Sequence, residues 1–179
     1  NARPLRLFAL LLLTACATTS TTLQPSTAPA DAGADVAYEL VETTFLLDDA
    51  GDVTETWRDI YRVLVADVGD RAFVSATWAP WFDDPPEVSA RVLRPDGTLS
   101  ELDPTTVSDQ AAGGDDDDVV SDRRVRLAPL PGLTPGATVE RVTRQHHRAQ
   151  IVDGAADAVA FSYSAALPRR RIVIDAPAA

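Results

Sequence analysis

The sequence has no methionine, no lysine and a single cysteine, Cys16. One thiol excludes a disulfide framework, a thiolate metal cluster and a CxxC redox pair within the chain. Basic charge is scarce as well: 16 arginines stand against 27 Asp and Glu, for a formal charge of −11. Phosphate recognition needs clustered Lys or Arg, so no nucleic-acid partner is expected. The apolar stretch over residues 7–13 is too short to span a bilayer as a helix. Neither a G-x-S-x-G nucleophile elbow nor a phosphate-binding glycine loop is present. The chain opens on Asn1, and with no Met anywhere the expectation is that its true start lies upstream.

What the first residues do contain is the pattern of an export signal. Arg3 and Arg6 precede the apolar run, and Leu13-Thr14-Ala15-Cys16 follows it. That ending resembles the bacterial lipobox, in which a small residue precedes a cysteine that receives lipid before the leader is removed. The resemblance makes residues 1–15 a lipoprotein signal peptide and Cys16 the lipidated N-terminus, with the membrane as partner through the acyl chains. Cleavage would leave 14 arginines against the same 27 acids, a charge of −13 that anionic headgroups would repel. Ala17, where an acidic residue would favour inner-membrane retention, points to the outer membrane facing the periplasm.

Residues 16–35 continue as a Thr, Ser, Ala and Pro-rich stretch whose one large aliphatic residue past Cys16 is Leu23. Such a composition is expected to form a flexible tether. From residue 36 to 177 the texture changes to short β-branched and aromatic segments divided by turns. Val41, Thr43, Phe45 and Leu47 alternate on one strand face, and Asp49-Ala50-Gly51-Asp52 turns the chain. Residues 53–66 read as a second strand with Trp57, Tyr61, Val63 and Val65 on one face and Ile60 and Leu64 on the other. A helix over 56–66 is the competing reading, and β-branched and aromatic content favours the strand. Residues 73–78 and 87–93 follow, then the Pro95-Asp96-Gly97 turn and a return strand to Leu102. The acidic stretch 103–118 is expected to be an extended, solvated loop. Strands over 119–130, 137–151, 159–165 and 171–174 complete an all-β fold, an antiparallel sandwich of roughly eight to ten strands.

Four groups of residues carry possible chemistry. Asp115, Asp116, Asp117 and Asp118 could offer calcium several carboxylates on one loop, or simply be solvated, since no EF-hand frames them. Trp78, Trp81 and Phe82, beside Asp83 and Asp84, could form an aromatic platform for a sugar ring or a partner chain, or close one end of the sandwich core. His146 and His147 are neighbours on a strand and should point to opposite faces, which prevents joint chelation of one ion. Arg169, Arg170 and Arg171 could meet an anionic surface, pair with the domain's own acids, or form a solvated linker.

Three elements in order carry a family resemblance: residues 88–98 (Val-Ser-Ala-Arg-Val-Leu-Arg-Pro-Asp-Gly-Thr), residues 121–124 (Ser-Asp-Arg-Arg) and residues 135–140 (Pro-Gly-Ala-Thr-Val-Glu). Together they resemble a domain of unknown function found in bacterial exported proteins, commonly just N-terminal to a transglutaminase-like domain. The resemblance covers about residues 36–177. Val120 departs from it, since the family usually has an aromatic there. It implies a possible C-terminal transglutaminase-like domain and carries no catalytic residues of its own. Ala179 falls where that domain would begin, so the chain reads either as a fragment or as a stand-alone copy. Transglutaminase-like chemistry uses a Cys nucleophile, a His base and an orienting acid. That set is not found here, with Cys16 committed to lipid.

Three functions remain open from sequence. The first is a non-catalytic, lipid-anchored envelope module with an unknown protein or glycan partner. The second is the leading part of a transglutaminase-like peptidase or crosslinking enzyme. The third is a calcium- or glycan-binding envelope module.

Overall fold

The computed structural model describes residues 22–112, 122–148 and 169–177. Cys16, Asp115, Asp116, Asp117, Asp118 and the strand expected over 159–165 lie outside the described residues. Within them nine strands follow in order: β1 (Val36–Leu47), β2 (Val53–Val63), β3 (Phe73–Trp78), β4 (Glu87–Leu93), β5 (Leu99–Glu101), β6 (Ser108–Ala111), β7 (Arg124–Pro129), β8 (Thr138–His147) and β9 (Arg170–Asp175). They make a six-stranded sheet, β5-β4-β8-β2-β1-β9, and a three-stranded sheet, β3-β7-β6. The fold is the all-β, sandwich-like one that alternation and turn chemistry predict, and residues 56–63 are strand, not helix.

Three expectations are corrected. The sheet is not wholly antiparallel, because β9 runs parallel to β1. β8 already runs in the direction of β1, so β8 and β9 begin at the same end of the sheet. The stretch expected to be a solvated loop contains β6, which pairs with β7 as the edge of the small sheet. Its four residues are all exposed, so no apolar alternation announced it. Finally, the expected flexible tether is docked over part of its length: Leu23, Ser26 and Ala28 are buried.

One core lies between the sheets. Val41, Tyr61, Val92 and Val139 from the large sheet meet Val74 and Ala128 from the small one. Burying each such aliphatic side chain stabilises the fold by about 1.5–3 kcal/mol. A register shift between Tyr38 and Leu40 on β1 keeps Val36, Tyr38 and Val41 in this core and turns Leu40 to the opposite face. There Leu40 joins Ile60, Leu23 and Leu93 in a second, smaller cluster. Both faces of β2 are therefore covered in part, as its two apolar rows suggest.

The core also contains an ion pair. Asp59 on β2 faces Arg141 on β8 in register, and Arg141 Nη2 lies 2.5 Å from Asp59 Oδ2. Arg141 also donates to the Phe73 carbonyl at 2.8 Å, which joins the two sheets, and its guanidinium carbon sits 5.0 Å from the centre of the Tyr61 ring. Burial works against the charge on Arg141, but bonding to Asp59 outweighs it and raises its pKa, so the group stays charged. Burial likewise pushes the Tyr61 hydroxyl up, and that hydroxyl donates to the Arg71 carbonyl at 2.7 Å.

Candidate functional site

Trp81, Phe82 and both histidines meet at one end of β8. Strand alternation sends His146 and His147 to opposite faces, as expected. Residues 79–84 form a tight loop in which the amides of Phe82 and Asp83 bond to the Ala79 carbonyl at 3.1 and 2.9 Å. The loop then pairs with the strand end: Asp84 N–H donates to the His146 carbonyl at 2.9 Å and Arg148 N–H to the Phe82 carbonyl at 2.7 Å.

Side chains fasten this junction from both faces. Asp83 is buried, with one oxygen 2.7 Å from His147 Nδ1 and the other accepting the Ala79 amide at 2.7 Å. Glu55 lies 3.6 Å from His147 Nε2. Glu55, and then Asp83, hold the imidazole pKa above its ordinary value of 6.5, against the opposing effect of burial. On the other face Asp84 accepts from Arg148 at 2.5 Å and lies 3.3 Å from His146 Nδ1, while Asp52 lies 3.6 Å from His146 Nε2. The Asp83-Asp84 pair thus meets the His146-His147-Arg148 run, acid against base.

The aromatic trio expected to act together is divided. Trp81 is 77% exposed and Phe82 37%, whereas Trp78 is 9% exposed and belongs to the buried apolar residues. The three residues therefore do not form one platform, since Trp78 is buried while Trp81 and Phe82 are exposed. Each His147 ring nitrogen faces a carboxylate, hydrogen-bonded at Nδ1 to Asp83 and at ion-pair distance from Glu55 at Nε2. Among the described residues no His, Cys, Asp and Glu set is arranged to hold a metal ion.

A second polar cluster lies on the outer face of the large sheet. Glu140 is buried, with Arg58 on one carboxylate oxygen and Arg91 on the other. It borders a groove of about 350 Å³ lined by Ser89, Arg91, Glu101, Leu102 and Val142 among others. Sequence spacing gives no hint of it, since the three charged residues come from three strands. One signal existed: Arg91 and Glu140 belong to two of the motif elements that carry the family resemblance. Near the chain end, Arg171 pairs with Glu42 at 3.0 Å and Arg170 stacks over Trp57 at 5.2 Å, so these two arginines serve the domain itself.

The family model of DUF3857, a domain of unknown function with a solved structure, matches residues 49–179. No curated protein matches the chain. Among solved structures, the chain is similar to a "putative protease" from Parabacteroides distasonis, with a TM-score of 0.57 and 14% identity over 64% of this chain. The matched part is 23% of that protein's length, so the likeness concerns the fold of one portion of a larger molecule.

Proposed function

Because the chain belongs to the DUF3857 family, whose function is unknown, we propose that it is a non-catalytic binding or positioning module, anchored by lipid in a bacterial envelope. The bracing of His147 between Asp83 and Glu55 beside the exposed Trp81 carries this reading. A histidine bonded to the buried Asp83 and facing Glu55 holds a loop in place, and an exposed indole on that loop offers a stacking face to a sugar ring or a partner side chain. The anchor is supported by the leader pattern and Cys16, and the outer membrane facing the periplasm by Ala17.

A second reading, in which the domain is part of a transglutaminase-like peptidase or crosslinking enzyme, is favoured by its likeness to a portion of a larger protein described as a "putative protease". Two experiments test these readings. Fatty-acid labelling should mark the wild-type chain and not Cys16→Ser, and equal labelling of both would end the anchor. Reading the coding sequence beyond Ala179 should reveal a Cys, His and Asp set if the second reading holds.

A further inference from the structure

The N-terminal segment crosses the outer face of the six-stranded sheet, and we propose that it is a docked strap that fixes which pole of the domain lies against a lipid surface. The membrane half of this statement rests on the Cys16 anchor proposed above, whereas the docking half does not. Residues 17–34 contain one large aliphatic side chain, Leu23, and it is buried against Leu40, Ile60 and Leu93. Those three residues form an apolar patch on the face that also carries Glu42, Arg58, Arg91 and Glu140, and Leu23 covers it. Three residues on, Ser26 N–H donates to Thr138 Oγ1 at 2.8 Å, and both residues are buried. Arg62 then donates to the Ala28 carbonyl at 2.8 Å. An apolar anchor, a buried amide bond and a charged donor on a carbonyl, at successive points, fix the path of the segment across β4, β8 and β2.

The docking changes the reach of the anchor. From Cys16 to Leu23 is seven residue steps, at most about 25 Å when fully extended, whereas a chain free as far as Val36 would span about 70 Å. Leu93 and Thr138 lie at the docked pole, and His147 lies nine residues along β8 from Thr138, about 30 Å away. A lipid on Cys16 would therefore stay within about 25 Å of the docked pole, and Trp81 and Phe82 sit at the other end of the strands.

Hydrogen exchange on the full chain in lipid nanodiscs tests the strap. The Ser26 amide should exchange at least tenfold more slowly than in a free peptide of the same sequence. Leu23→Asp and Thr138→Val should restore the free rate while the β2 and β8 amides stay protected, which separates release of the strap from unfolding. A Ser26 amide exchanging at the free rate in the wild type would overturn the strap. Energy transfer from a dye at Leu99→Cys to labelled headgroups reads the reach and should fall when Leu23→Asp is added. Unchanged transfer overturns the reach. Failure of the wild type to take up fatty acid overturns the anchor and the reach with it, while Ser26 protection still decides the strap.

Discussion

The Arg94 side chain donates to the carbonyl of Gly132 at 3.1 Å, joining the tip of the β4–β5 hairpin to the Pro-Gly turn that precedes β8. The neighbouring Pro95 approaches the second Pro-Gly turn in the same way. A Cβ on Gly136 would stand 3.0 Å from Pro95 Cγ, at a backbone φ of +85°. Two motif elements separated by some forty residues in sequence are thus one packed unit, and Gly136 is required by that packing.

Alanine at Gly97 and at Gly136 should therefore cost different amounts. Gly97 has a φ of +84° and open space around it, so Gly97→Ala meets only left-handed strain, about 1–2 kcal/mol. Gly136→Ala adds a contact with a proline ring that cannot swing aside, and should cost more. Urea midpoints at constant m-value make the comparison. A smaller loss at Gly136 would contradict it.

Removing one partner of the Asp59–Arg141 pair leaves a buried charge alone. Asp59→Ala should destabilise the domain by about 3–5 kcal/mol, and Asp59→Leu combined with Arg141→Met should recover most of the loss. Chemical denaturation of the three proteins gives the answer. If the double replacement were as unstable as the single, the bond from Arg141 to the Phe73 carbonyl would be the larger contribution.

Two nearby tryptophans should respond oppositely. Trp78→Ala opens the core and should cost about 3–5 kcal/mol. Trp81→Ala should change stability by less than about 0.5 kcal/mol while weakening binding to cell-wall sugars or partner protein, measured by calorimetry. Undiminished binding by Trp81→Ala would remove the indole from the proposed contact surface.

The His147 clamp should weaken towards alkaline pH. Its folded pKa is raised above 6.5 by Glu55 and Asp83, so its contribution is complete below about pH 6.5 and is lost as pH rises through the raised value. Asp84 with Arg148, and His146 with Asp52, flank the same junction and are unaltered by His147→Asn. The stability difference between wild type and His147→Asn should shrink as pH increases from 6 to 9. A difference constant over that range would exclude the protonated imidazole as the source.

Legibility followed the range of the interaction. Turn residues and period-2 alternation act within a few positions, so β1, β3, β4 and the Pro95-Asp96-Gly97 turn could be placed from sequence. β6 could not, because Ser108, Asp109, Gln110 and Ala111 are exposed and owe their strand form to β7. The acidic and basic residues around His147 were all visible in the sequence. Their pairing was not, since it depends on residues 79–84 folding back against the end of β8.

By itself the sequence determined the β class and the motif order that marks the family, because composition, turn chemistry and spacing are local properties. Only the tertiary structure decided that Trp78 is core while Trp81 is surface, that β9 runs parallel to β1, and that Leu23 is docked. Each of these depends on which distant strand arrives alongside, and a flexible composition around Leu23 cannot reveal the apolar patch that Leu40, Ile60 and Leu93 assemble to receive it.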